Sequence, residues 1–166
     1  MKKIVLALFS LVVLSSCGYT MAGFNNSIPV KYYINTVNNT TYDTQLTDIV
    51  QLEAERFFIN YNELASYKKA SYFMDIQISD LKFINPILSA SDEASSTNIS
   101  LQLTIIVTDL DGKEIYTWSS SISESFTITS KTTTTIQNRE QALIKGLEDA
   151  LTTFRINISP KVYITN

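Results

Sequence analysis

The sequence has no histidine and a single cysteine, Cys17. Without histidine, the chain cannot build a Ser–His or Cys–His nucleophile pair, nor a zinc site with a histidine ligand. One cysteine cannot form a disulfide within the chain. The phosphate-binding patterns GxGxxG and GxxxxGK[S/T] are also missing. These absences predict that the protein is not an enzyme and that it holds neither a metal ion nor a cofactor.

Basic residues, glycine and proline are scarce. The chain has 13 Lys and Arg against 16 Asp and Glu, and two of the lysines, Lys2 and Lys3, lie in the leader described below. Without them, 11 basic residues face 16 acidic ones. Nucleic-acid binding needs a basic surface, so no nucleic-acid partner is expected. With four glycines and three prolines a long flexible linker is not expected, and 166 residues suffice for one domain.

Residues 1–16, MKKIVLALFSLVVLSS, have the organisation of a signal peptide: two lysines and then an apolar run from Ile4 to Leu14. The run is shorter than the roughly 20 apolar residues that span a bilayer. The sequence LSSC that ends at Cys17 resembles the lipobox of bacterial lipoproteins. In that class the leader is removed, and the cysteine, now the first residue, carries the lipid. A buried free cysteine is the alternative interpretation.

Stable anchoring requires more than one acyl chain, and a first-residue cysteine offers both a sulfur and an amine for them. Cys17 is therefore the predicted lipidation site, and residues 17–27 form a lipidated linker. Gly18 follows the cysteine instead of the aspartate that retains enteric lipoproteins at the inner membrane. The expected location is the periplasmic side of the outer membrane, with attachment to the membrane through acyl chains.

Alternating apolar and polar side chains predict the strands. The pattern covers residues 27–37 and 70–83, and then two long strands on either side of Asp111-Gly112. An Asp-Gly pair favours a hairpin because glycine accepts the positive φ that such turns need.

Apolar side chains three and four residues apart predict two amphipathic helices. The first covers residues 44–61. The second is predicted to begin at Asn138, which forms a capping-box pattern with Gln141, and to end before Pro160. Residues 84–98 contain proline, serine and acidic residues without periodicity, which predicts a loop.

The order strand, helix, strand, strand, strand, helix predicts an α+β fold. We expect a two-layer sandwich, in which a mostly antiparallel four-stranded sheet carries two helices on one face. The domain is predicted to span residues 28–158 and to be followed by a C-terminal tail, residues 159–166.

Several motifs, taken in order along the mature chain, together resemble one family. CGYTMAG (residues 17–23) is similar to a Cys-Gly-aromatic start. Next come a strand, a turn and a helix in IPVKYYINTVNNTTYDTQLTDIVQLEAERFF, and a second strand in DIQISDLKF. A long hairpin follows in LTIIVTDLDGKEIYTWSSSISESFTI, and a closing helix in NREQALIKGLEDAL. This set resembles the LptE-type lipopolysaccharide (LPS)-assembly lipoproteins.

The resemblance implies a function and partners. Such a protein is a lipid-anchored plug inside the LptD β-barrel of the outer membrane, where it aids assembly of the barrel and assists delivery of LPS to the cell surface. Basic residues near strand ends contact LPS phosphates in this family. Lys82 and Lys131 are the candidates here, although each can equally be an ordinary surface lysine. The loop sequence LSASDEASS is acidic, which departs from the family pattern.

Two other functions remain open. A free-standing periplasmic lipoprotein that binds a lipid or glycan would have a cavity of its own, and a lipoprotein hydrolase would place two carboxylates in a cleft. Tyr33 and Phe73 fall opposite the apolar alternation of their strands, so they are candidate anchors for a partner. The alternative is that both rings pack against neighbouring strands.

Overall fold

Four strands and two helices form the part of the chain that the computed structural model describes, residues 30–87 and 95–162. In chain order the elements are β1 (Tyr32–Asn39), α1 (Gln45–Asn60), a short 3₁₀ turn (Tyr67–Lys69), β2 (Tyr72–Ile87), β3 (Ser95–Thr108), β4 (Glu114–Ile128) and α2 (Thr132–Val162). The fold is α+β, as the sequence predicts. The signal peptide, the lipobox and Cys17 lie outside the described residues.

The sheet has the strand order β1-β2-β3-β4 and is mixed. Strands β1 and β2 are parallel, because α1 forms the crossover between them, whereas β2–β3 and β3–β4 are antiparallel. The predicted hairpin between β3 and β4 is present. Gly112 has a φ of 80°, and Asp109 Oδ1 accepts hydrogen bonds from the amides of Asp111 (3.0 Å) and Lys113 (2.9 Å).

A single apolar core joins all four strands and both helices. Helix α1 packs on β1, α2 packs on β4, and the two helices contact each other. The fully buried sheet residues alternate along their strands and are Met74, Ile76, Ile78, Ile99, Leu101, Leu103, Ile105 and Val107. The helices contribute Leu46, Val50, Ala54, Phe58, Leu143, Leu147, Leu151 and Phe154. The rings of Phe58 and Phe154 join the helices across 6.4 Å between their centroids.

The prediction of a loop over residues 84–98 is wrong at both ends, where the residues belong to strands. Strand β2 continues to Ile87 and β3 begins at Ser95, with Ile84 paired to Asn98 and Ile87 to Ser96. Thr97 is buried there, and its hydroxyl donates to the carbonyl of Ile84 at 2.9 Å. Cross-strand pairing thus overrides the polar composition at both ends, and residues 88–94 lie outside the described part.

The predicted limits of the second helix are also wrong. Helix α2 begins at Thr132, so Asn138 is an interior residue. Its side-chain Nδ2 donates a hydrogen bond to the backbone carbonyl of Thr127 at 2.8 Å. Pro160 does not end the helix, which continues to Val162. A proline inside a helix costs about 3 kcal/mol. Ile158 and Val162 are 1% and 0% exposed, and burying such side chains stabilises by about 1.5–3 kcal/mol each, which offsets that cost.

Candidate functional site

The face of the sheet opposite the core, called the outer face here, carries mainly uncharged polar side chains along β3 and β4. On β3 and β4 they face each other in pairs: Asn98–Ser125, Ser100–Ser123, Gln102–Ser121 and Thr104–Ser119. The Thr104 and Ser119 hydroxyls are 2.8 Å apart, and the Ser121 hydroxyl donates to Gln102 Oε1 at 2.9 Å. Because strand side chains alternate between faces, these residues lie between the buried core positions. The outer face offers many hydrogen-bond donors and acceptors with little charge.

The same polar character reaches β1. Asp75 on β2 accepts hydrogen bonds at Oδ1 from the Thr36 hydroxyl at 2.6 Å and from the Asn35 amide at 2.9 Å. Both donors bind the same oxygen, Oδ1, and neither is a second carboxylate. Within residues 30–87 and 95–162, no three His, Cys, Asp or Glu side chains are grouped as metal ligands would be. The expected lack of catalysis stays a prediction.

Three aromatic rings, Tyr33, Tyr67 and Phe73, form a cluster on the outer face where β1 and β2 begin; we call them the aromatic cluster. The centroid of Tyr67 lies 4.9 Å from that of Phe73 and 5.5 Å from that of Tyr33. Tyr33 and Phe73 are paired in the register of β1 and β2 and are half-buried, whereas Tyr67 is 62% exposed. Tyr33 and Phe73 thus lie on the outer face, where the alternation places them. Sequence reasoning missed Tyr67, because a three-residue 3₁₀ turn has no periodicity to reveal it.

The two candidate LPS-binding lysines are both exposed but are not brought together. Lys82 lies on the outer face, paired with Ser100, just after a bulge at which Asp80 has a φ of 56°. Lys131 lies between β4 and α2, beyond the end of the sheet at which Ser95 pairs with Ile128. Ser95 and Ser100 are five residues apart, which corresponds to about 17 Å along the strand. The assignment of these lysines to LPS stays a prediction.

An ion pair connects the end of α1 to α2. Glu63 is only 4% exposed, and its Oε1 lies 2.8 Å from Arg155 Nη2, while the arginine guanidinium lies 4.0 Å from the centroid of the Tyr61 ring. A second, exposed pair joins α2 to β4. Lys145 Nζ donates to Glu124 Oε2 at 2.8 Å, and this hydrogen bond raises the pKa of Lys145 above its ordinary value. Both pairs hold elements together and neither faces a cavity suited to a ligand.

Two grooves in the described part of the chain are small. One lies between the edge of β4 and α2, has a volume of about 210 Å³, and is lined by polar residues that include Ser123, Asp149 and Thr153. Another, between α1 and α2, has a volume of about 40 Å³. Small-molecule sites usually occupy about 300–1,000 Å³ and are mostly apolar. Extended surfaces are therefore better candidates for binding than these grooves.

No protein-family model and no curated protein matches this chain. Solved structures with a similar fold do exist. A minor lipoprotein of Acinetobacter baumannii has a TM-score of 0.52 and 14% identity over 80% of this chain and 95% of its own. A Caulobacter crescentus protein, provisionally assigned as a lipoprotein, has a TM-score of 0.51 and 8% identity over 74% and 86%. A Helicobacter pylori protein, provisionally assigned as a homologue of a neuraminyllactose-binding hemagglutinin, has a TM-score of 0.51 and 12% identity over 81% and 84%.

At identities of 8–14%, these similarities show a shared fold and nothing finer. Bacterial lipoproteins are among the proteins that have this fold. No helix in the described residues combines the length and the apolar character that crossing a bilayer requires.

Proposed function

We propose that the protein is a lipoprotein of the outer membrane, anchored through Cys17 on the periplasmic side. It plugs an LptD-type β-barrel, helps to assemble it, and so supports delivery of LPS to the cell surface. The sequence of the leader, with its lysines, apolar run and lipobox in the expected succession, supports the anchor, and a fold shared with bacterial lipoproteins is consistent with it. In this proposal both helices cover one face of the sheet in a two-layer sandwich, which leaves the outer face for the barrel.

The observation that carries the proposal is the polar outer face. A wide outer-membrane barrel encloses a polar lumen. A plug must therefore present hydrogen-bonding groups rather than an apolar surface, and the serine, threonine and amide pairs of β3 and β4 do so. A lipid anchor would also raise the concentration of the plug near the barrel, because both partners would be held at the same membrane.

Lys82 would face the barrel wall or LPS phosphates in this arrangement, since it lies on the outer face. Lys131 lies beyond one end of the sheet and would meet LPS only at the rim of the barrel. Separate Lys82→Gln and Lys131→Gln variants therefore test the two positions independently. A loss of LPS binding by only one variant would identify the contact, and no loss by either would remove both from the proposal.

Site-specific photo-crosslinking in the processed, lipidated protein tests the proposal. We would place the crosslinker at the exposed outer-face positions Gln77 and Ser121, and at Leu52 and Ile156, which are 63% and 66% exposed on the helices, as matched controls. A partner of barrel size should be captured from the outer face and not from the helices. It should also co-purify stoichiometrically in mild detergent. Recovery of the protein alone, with no large partner captured from either side, would contradict the proposal.

A free-standing binding lipoprotein is the second candidate function. The name of the Helicobacter pylori structure, which refers to neuraminyllactose binding, and the exposed aromatic cluster both favour a glycan ligand. The volumes of the grooves argue against enclosed binding. If the protein is recovered without a barrel, and immobilised glycans bind it in a manner that depends on Tyr67, this second function replaces the first.

A further inference from the structure

The 3₁₀ turn before β2 places exposed Tyr67 beside two exposed lysines at the end of the sheet where β1 and β2 begin. The β3–β4 hairpin lies at the same end, because Phe73 pairs with Thr108, and it carries Asp109, Asp111 and Glu114, so the basic surface is confined to the turn. We propose that this end, formed by the aromatic cluster together with Lys68 and Lys69, docks on the surface of an anionic lipid bilayer. We call these five residues the docking end. The inference rests on the proposed anchoring at Cys17. It adds an orientation, because the domain would contact the bilayer with one defined surface instead of being attached only through a linker.

The aromatic cluster has the chemistry of a bilayer interface. Tyrosine is enriched where headgroups meet water, because its ring is apolar and its hydroxyl is polar. The rings of Tyr33 and Phe73 meet edge-to-face at 6.1 Å, and Tyr33 and Tyr67 do so at 5.5 Å. These contacts hold Tyr67 in place although it is 62% exposed. A prearranged aromatic surface loses little conformational entropy when it enters the headgroup region.

The two lysines supply the charge. Lys68 and Lys69 occupy the same 3₁₀ turn as Tyr67, both are exposed, and neither forms an ion pair with another residue in the described part of the chain. The turn is held by the carbonyl of Ser66, which accepts from the amides of Lys69 at 2.9 Å and Ala70 at 3.1 Å. A lysine near an anionic bilayer strengthens binding by about fivefold, so the pair is expected to contribute about thirtyfold. This local charge matters because the chain as a whole is acidic.

The described part of the chain begins at this end of the sheet. Val30 is the first described residue, and the carbonyl of the next residue, Lys31, accepts hydrogen bonds from the amides of Ser71 and Tyr72 at 2.7 and 3.1 Å. The chain therefore enters the fold beside the start of β2. Cys17 lies 13 residues before Val30, and 13 residues reach at most about 45 Å. A lipid on Cys17 would hold Val30, where the chain enters the fold near the docking end, within that distance of the bilayer.

Docking at this end is compatible with a barrel on the outer face. The paired serine, threonine and amide side chains extend along β3 and β4, whereas the aromatic cluster lies where β1 and β2 begin. The polar pairs of β3 and β4 suit a hydrated lumen, whereas the aromatic rings and the two lysines of the 3₁₀ turn suit lipid headgroups. The two surfaces therefore suit two different environments.

Vesicle binding without the anchor tests the inference independently of the proposed function. The mature chain, residues 17–166 carrying Cys17→Ala, is titrated with 3:1 phosphatidylethanolamine–phosphatidylglycerol vesicles and sedimented. Lys68→Gln with Lys69→Gln should weaken binding about thirtyfold. Arg56→Gln with Lys145→Gln, a control pair of basic side chains that lie on the helices and are each 66% exposed, should change it less than about twofold. No binding at any lipid concentration, or equal losses for both pairs, would overturn the inference.

A second measurement reports the orientation of the lipidated protein. Tyr67→Trp and Tyr42→Trp are compared in vesicles that carry brominated acyl chains, with the signal of Trp118 in the unaltered protein as background. Both tyrosines are exposed, at 62% and 73%, but Tyr42 follows the opposite end of β1. Bromine should quench the Tyr67→Trp variant strongly and the Tyr42→Trp variant little. Equal quenching would refute the orientation, whereas a chain that acquires no lipid would refute the anchor and leave the sedimentation result standing.

Discussion

Gly146 determines how closely α2 can approach β4. A Cβ atom at this position would lie 2.4 Å from Ile122 Cγ2 and 3.0 Å from Glu124 Cγ. Glu124 is partly exposed, so its side chain has room to shift. Ile122 is only 4% exposed, and its branched Cβ restricts it to few rotamers, so it cannot move without disturbing the core. Gly146→Ala is therefore expected to push the helix away from the sheet.

Two opposing effects determine the magnitude. Overpacking in a well-packed core typically costs about 1–3 kcal/mol. Alanine favours a helix interior over glycine by about 1 kcal/mol, which acts in the opposite direction. We expect the contact with Ile122 to dominate, so Gly146→Ala should lower the free energy of unfolding by about 1 kcal/mol. For a chain of this length, that corresponds to a decrease in Tm of about 2–4 °C.

Urea unfolding followed by circular dichroism measures the effect, and a second background separates its two causes. Ile122→Ala removes the methyl group that Gly146→Ala would strike, and by itself it should cost about 2–5 kcal/mol. In that background Gly146→Ala should instead stabilise, by about 1 kcal/mol, because only the helix propensity remains. If Gly146→Ala stabilises the unaltered protein as well, the close approach of α2 to β4 is not as the structure describes it.

Three further predictions concern the core, the buried ion pair and the anchor. Phe154→Ala should cost about 3–5 kcal/mol in urea unfolding and alter the fluorescence of Trp118, whose ring centroid lies 5.8 Å away; an unchanged midpoint would contradict its place in the core. Arg155→Met should cost about 3 kcal/mol because the Glu63 carboxylate stays buried, whereas Glu63→Gln should cost less because the Arg155 side chain is 36% exposed and can turn to water. Equal losses would show that the pair is effectively solvated. Cys17→Ala should leave the fold intact and release the protein from membranes; if this variant still fractionates with membranes when the barrel is absent, the lipobox interpretation is wrong.

The elements with strong local signals were predictable from the sequence. Helix α1 runs over Gln45–Asn60, within one residue at each end of the predicted range, because its apolar side chains recur at helical spacing. The turn at Asp111-Gly112 is where the pair predicts it. The alternation from Met74 to Ile78 correctly identified the core face of β2. In each case local preference and tertiary packing favour the same conformation.

The ends of α2 were not predictable because tertiary contacts determine them. Thr132 to Thr135 are poor helix formers, so the sequence predicts a start at the capping pattern of Asn138. In the structure, Thr135 Oγ1 instead accepts a hydrogen bond from the amide of Thr129 at 2.9 Å, which supports the earlier turn. At the other end, the burial of Val162 stabilises the continuation of the helix past Pro160. Both contacts join residues through the tertiary fold, so no local sequence pattern predicts them.

The aromatic cluster was also predictable only in part. The alternation placed Tyr33 and Phe73 on the outer face, but it could not show that a third ring from a 3₁₀ turn packs against both. That contact depends on β1 and β2 being parallel, since parallel pairing puts their first residues at the same end of the sheet, beside the turn that precedes β2. The α1 crossover therefore does more than connect two strands: it brings the aromatic rings, the lysines of the turn and the entry of the chain to one end of the domain.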